Sequence, residues 1–187
     1  MLKWLREQDP PCNWNMGTLA LAARGGHLGV LRWALENGAP ITNAAAIASC
    51  AAMDGRLEIL KWMREQDPPW SWDAKTCTAA ASNGHLKLLR WAREQDPPCP
   101  WDAKTCTAAA QGGHLTVLKW ARGQRPRCSW GVGTCSKAGE GGHLEVLKWA
   151  RAQNPPCPWN ARTCTAAAAG GHLELLQWAQ EHGCPCD

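Results

Sequence analysis

One interval governs this chain. Trp4, Trp33, Trp62, Trp91, Trp120, Trp149 and Trp178 follow one another at 29 residues without exception. His27, Arg56, His85, His114, His143 and His172 keep the same spacing, as do Trp14, Asn43, Trp72, Trp101, Trp130 and Trp159. Cysteines fall into two further columns: Cys77, Cys106, Cys135 and Cys164, then Cys99, Cys128, Cys157 and Cys186. A fixed period of this length means a repeat architecture, in which each unit stacks on its neighbours to bury its apolar face. It also accounts for 13 Trp beside no Phe and no Tyr, a bias that generic core-building does not require. The array fills all 187 residues as one domain, with a half-unit at 1–13 and units at 14–42, 43–71, 72–100, 101–129, 130–158 and 159–187.

Each unit carries two helical signals separated by a Gly turn. In "DAKTCTAAASNG", Asp73 is placed to cap a first helix, and Cys77, Ala80 and Ala81 form a narrow face of small residues at i, i+3, i+4. In "HLKLLRWAREQ", Leu86, Leu88, Leu89, Trp91 and Ala92 make a broad apolar face opposite Arg90, Arg93 and Glu94. That second helix stops at Asp96-Pro97-Pro98, because proline cannot continue a helix and pushes its predecessor into an extended conformation. Two short helices cannot cover such a face alone. The prediction is an all-α solenoid of stacked helix–turn–helix repeats.

The segment "GTLALAARGGHLGVLRWALENGAP" resembles the ankyrin repeat. Thr18-Leu19 stands near that family's T-P-L-H segment, Ala22-Ala23 matches its paired alanines, Gly26-His27 its G-H turn, and Gly38-Ala39 its ending. The unit is nonetheless shorter than the roughly 33 residues of an ankyrin repeat. The missing residues fall where ankyrins build a β-hairpin finger, and "DPPCPWDAK" is too short and proline-rich for one. The expectation is an ankyrin-like array with shortened or absent fingers.

Several kinds of chemistry are disfavoured. Zinc needs about four thiolates or imidazoles in one sphere, yet the His column tolerates Arg56, and Cys106 and His114 sit at opposite ends of one helix. A hydrogen-bonding role at the turn accommodates both His and Arg. Within one column, stacked helices hold cysteines farther apart than the roughly 7 Å a disulfide allows between Cα atoms. Cys77, Cys106, Cys135 and Cys164 therefore read as small core residues, while Cys184 and Cys186 read as exposed and reactive. Every feature recurs in every unit, whereas catalysis needs one unique constellation. No catalytic residue, cofactor or metal is expected, and the chain is not read as an enzyme.

What remains is binding. The helix-borne Trp column is expected in the core, and the loop column from Trp14 to Trp159 either plugs the junctions between units or forms an aromatic strip. By resemblance, ankyrin-like arrays hold a protein partner on their concave face. Internal comparison supports the same reading: the column after the paired alanines runs Arg24, Met53, Ser82, Gln111, Glu140, Ala169, a different residue in each unit, while core columns barely change. The expected partner-binding set is Arg24, Met53, Asp54, Ser82, Asn83, Gln111 and Glu140, with Trp72, Trp101, Trp130 and Trp159 as neighbouring anchors. An alternative is nucleic-acid or acidic-surface binding along a basic ridge on the second helices, including Lys3, Arg6, Arg32, Lys61, Arg64, Arg90, Arg93, Lys119, Arg122, Lys148 and Arg151. Interleaved Glu7, Glu36, Glu65 and Glu94 and a net charge of +4 weaken it. A Cys/His metal or redox protein ranks third. Eleven cysteines without a secretory signal point to reduced thiols in a cytoplasmic or nuclear setting, and no stretch is long and apolar enough to enter a membrane. Apolar Leu173, Leu175, Leu176 and Trp178 in the last unit predict a piece of a longer array or self-association through uncapped ends.

Overall fold

The computed structural model describes residues 7–8 and 13–186. The leading half-unit's Trp4, Lys3 and Arg6 lie outside the described residues, as does Asp187. The described chain is all-helical. Twelve helices alternate as first and second members of six pairs: α1 (Met16–Gly25) with α2 (Leu28–Glu36), α3 (Ala44–Met53) with α4 (Leu57–Arg64), α5 (Ala74–Ser82) with α6 (Leu86–Glu94), α7 (Ala103–Gln111) with α8 (Leu115–Gly123), α9 (Val132–Glu140) with α10 (Leu144–Arg151), and α11 (Ala161–Ala169) with α12 (Leu173–Glu181). No strand occurs among the described residues, so the fingers are absent there rather than shortened.

The first helices start where the sequence offers a cap. Asn15, Asp73, Asp102 and Asn160 each accept a backbone N–H of the first turn on a side-chain oxygen. Asn43 caps α3 in the same way, and so fills the loop-Trp column of its unit with a different task. Second helices begin at a left-handed glycine followed by His or Arg, and end where a Gln side chain folds back. Gln66, Gln95, Gln124 and Gln153 donate to the carbonyls of Trp62, Trp91, Trp120 and Trp149, closing otherwise open C-terminal turns.

Packing separates the two layers. First helices present Ala and Cys to one another (Ala80, Ala81, Ala109, Ala110 and Cys106 are fully or almost fully buried), so successive first helices run with Cα atoms within 8 Å. Second helices carry Leu, Val and Trp, and their closest neighbour is the first helix of their own unit. Thin residues on one side and thick ones on the other wedge the stack, which makes the first-helix side the concave one. The thick layer supplies the large core residues, such as Leu60, Leu89, Val117, Leu118 and Leu147. Threonines join the small layer: half-buried Thr78 Oγ1 meets buried Thr105 Oγ1 at 3.4 Å, and Thr107 repeats this with buried Thr134.

Candidate functional site

The Gly-Gly-His turn does the work of joining units. Nε2 of His85, His114, His143 and His172 donates to the carbonyls of Met53, Ser82, Gln111 and Glu140 at 3.0, 3.1, 2.9 and 3.0 Å, each 32 residues earlier. Arg56 reaches the Arg24 carbonyl in the same way with its Nε, at 2.9 Å. The departure from histidine in this column therefore preserves the bond, as a hydrogen-bonding role requires. Glycine is needed alongside for two reasons. Gly84 and Gly113 both have φ +73°, and a Cβ there would lie 2.6 and 2.5 Å from the ring Nδ1 of His114 and His143 in the next unit.

The carbonyls that receive these bonds belong to the variable column. Met53, Ser82, Gln111 and Glu140 end their first helices and Arg24 stands one residue before the end of α1, all with their side chains exposed. Their backbone is held identically from unit to unit while their side chains differ. Some reach along the array: Arg24 pairs with Asp54 at 3.0 Å, and Gln111 Nε2 donates to Glu140 at 3.2 Å. Lys137 also pairs with Glu140, at 2.6 Å. Asn83 turns inward to the Ala79 carbonyl and caps its own helix.

The loop tryptophans are not beside this row. Trp72, Trp101, Trp130 and Trp159 precede the first helices, whereas the variable residues end them, about 13 Å away along nine helical residues. They pair edge-on with the helix-borne Trp of their own unit, with centroids 5.6–6.0 Å apart in Trp72–Trp91, Trp101–Trp120, Trp130–Trp149 and Trp159–Trp178. Each of these loop rings also carries a guanidinium over it, from Arg64 over Trp72 at 4.7 Å to Arg151 over Trp159 at 4.0 Å. Where Asn43 removes the loop Trp, Trp62 packs on Trp70 instead, at 5.5 Å. Trp62 alone of the described helix-borne column is buried; Trp33, Trp91, Trp120, Trp149 and Trp178 are half-buried against the core. Apart from Trp62, the described part of the column expected in the core thus sits at its edge, packed against the core on one side and against the loop Trp on another.

The same arginines alter the basic ridge. Arg64, Arg93, Arg122 and Arg151 donate to the carbonyls of Trp70, Cys99, Cys128 and Cys157 while lying on the loop rings. Lys61 and Lys148 pair with Glu58 and Glu145 on their own helices. The ridge is therefore partly a structural feature, with Arg90 and Lys119 left as exposed cations at its centre.

A shallow groove of about 480 Å³ lies on the concave face over α9. There the repeat thins: Gly133 and Ser136 stand where the preceding unit has Lys104 and Thr107, and Lys137, Glu140 and Arg162 rim the opening. Val132, half-exposed, forms part of its floor. Of these residues sequence comparison singled out only Glu140, although the loss of a Lys at position 133 was an available signal for the others.

The cysteines require two corrections. Cys77, Cys106 and Cys135 are buried as expected, and the hydrogen bond each thiol donates to the neighbouring column, together with burial, pushes it far above the ordinary range. That neighbour is Cys99, Cys128 or Cys157, 22 residues on, so the cysteines meet across columns rather than along one. In the last unit Cys164 is disulfide-bonded to Cys186, with Cα atoms 5.5 Å apart. Cys184 is buried, not exposed. It takes the place of the second Cys column: its N–H binds the Ala179 carbonyl as that of Cys157 binds Ala150, and its Sγ faces the Asn160 carbonyl as that of Cys157 faces Gly131. Cys186 consequently stands in the loop-Trp column. The last loop is two residues shorter than its predecessors, so counting by 29 assigned it to the wrong column.

No described helix is long and apolar enough to cross a membrane. Compared with known proteins, the chain matches no family model and no curated protein.

Proposed function

We propose that the array is a protein-interaction scaffold that takes its partner on the concave, first-helix side, as its resemblance to ankyrin repeats implies. The observation that carries this reading is the contrast at the variable column. Beneath it, five successive carbonyls accept the same inter-unit bond; above it, five exposed side chains are all different. A scaffold constrained to stack but free to vary one row is what recognition of an extended partner surface requires. The groove over α9, rimmed by Lys137, Glu140 and Arg162, adds a concave pocket with charges of both signs beside that row.

The ridge reading is less favoured because four of its arginines, Arg64, Arg93, Arg122 and Arg151, are engaged on tryptophan faces and loop carbonyls. Nothing in the repeat singles out a nucleophile with its base, so the function is read as binding without catalysis. Affinity capture with the wild-type chain, repeated with Ser82, Gln111 and Glu140 replaced by alanine, tests the reading. Partners recovered by the first and lost by the second support it; an unchanged set of partners counts against it.

A further inference from the structure

The sulfur atoms of Cys164, Cys184 and Cys186 all lie within 4.8 Å of one another. Among the described residues no other group of three or more cysteine, histidine or acidic side chains gathers so closely. The cluster arises from one departure from the repeat. In each of the three preceding units a first-helix cysteine meets one loop cysteine, followed two residues later by a Trp: Cys99 and Trp101, Cys128 and Trp130, Cys157 and Trp159. In the last unit the pattern reads Cys184-Pro185-Cys186, so a third sulfur replaces the indole.

Three thiolates around one cation, each about 2.3 Å from it, lie about 4 Å apart; the cluster stays inside 4.8 Å, and Cys164 and Cys186 need only open their bond to reach that separation. Among the described residues no fourth donor joins the three sulfurs. His182, the nearest imidazole in sequence, stacks on Trp178 at 4.2 Å and uses Nδ1 on the Trp178 carbonyl at 2.8 Å. Structural zinc is four-coordinate, whereas an all-sulfur set of low coordination number suits a soft monovalent ion.

We propose that Cys164, Cys184 and Cys186 form a reduction-gated trithiolate site for one soft cation of the Cu(I) class. In the disulfide form two of the three donors are tied to each other. A dithiol reductant opens the bond: its two thiols become its own cyclic disulfide, and their two protons and the electron pair convert the Cys164–Cys186 bond into two free thiols. Cu(I) then displaces thiol protons to solvent and binds the three sulfurs. The site is independent of the partner-binding row, so failure of either reading leaves the other standing.

Anaerobic titration of the full chain with Cu(I) against a chromophoric Cu(I) chelator tests this. One sample is reduced; the other is diamide-treated, with the Cys164–Cys186 bond verified by peptide mapping. The reduced chain should withhold one Cu(I) from the chelator and the oxidised chain none. C184S, the smallest change, and C186W, which restores the residue of the other units, should each weaken binding about 100-fold, as loss of one linked ligand does. Both variants keep the inner cysteine pairs. Wild-type-like Cu(I) binding by C186W would therefore overturn the proposal. So would equal binding by oxidised and reduced chains, no binding by the reduced chain, or absence of the Cys164–Cys186 bond after diamide.

Discussion

His143 Nε2 donates to the Gln111 carbonyl at 2.9 Å across 32 residues, tying the turn of one unit to the end of the preceding first helix. The bond recurs through the stack, and it holds the backbone beneath the variable row. His114→Ala removes one such bond, to Ser82, and should cost about 1 kcal/mol, the net worth of a typical hydrogen bond. His114→Arg should cost less, because Arg56 already makes this contact with the Arg24 carbonyl. Urea unfolding of the two variants checks the order. Equal losses would mean that the column serves packing rather than the bond.

Two glycines separate backbone strain from inter-unit contact. Gly113 and Gly171 both have φ +73°, but a Cβ at Gly113 meets His143 at 2.5 Å whereas one at Gly171 meets nothing within 4 Å. Gly171→Ala should cost only the left-handed strain, about 1–2 kcal/mol. Gly113→Ala should cost clearly more and shift the thermal transition further, since His143 must also move. Matching shifts would show that the approach of His143 is not tight in solution.

Trp62 and Trp91 occupy the same column with different burial. Trp62 is 8% exposed, while Trp91 is half-buried with its edge contact to Trp72 at 5.8 Å. Trp62→Ala should therefore cost about 3–5 kcal/mol, the range for a large aromatic lost from a core, and Trp91→Ala about 2–3 kcal/mol. Chemical denaturation of both variants reads the difference. A Trp91 variant as unstable as the Trp62 variant would contradict the half-buried placement.

The units were legible because each repeats its punctuation: a cap such as Asp73, a Gly-His turn, and a Pro-Pro stop. The dual role of the His column was legible too, since only a hydrogen-bonding task accepts both His114 and Arg56. Other features were hidden by geometry. Arg93 looks solvated from its helical face, yet the loop returns Cys99 and Trp101 beneath its guanidinium. The row from Ser82 to Glu140 was visible as variation, but placing Trp101 beside it ignored that the loop lies at the other end of α7. Cys184 and Cys186 both read as exposed from the sequence, but a loop shortened by two residues brings Cys184 into the buried cysteine column.

The central claim is that the exposed ends of the first helices, not the outer ridge, recognise the partner. It is tested by titrating one captured and purified partner against two variants. One replaces Ser82, Gln111 and Glu140 with alanine; the other reverses Arg90 and Lys119, two exposed cations at the centre of the ridge, to glutamate. The alanine variant should unfold within about 0.5–1 kcal/mol of wild type, since its side chains are exposed and its one ion pair lies at the surface. It should bind at least tenfold more weakly, while the charge-reversed variant binds as wild type. Normal affinity in the alanine variant, with binding abolished by the reversal at Arg90 and Lys119, would contradict the account and assign the function to the ridge.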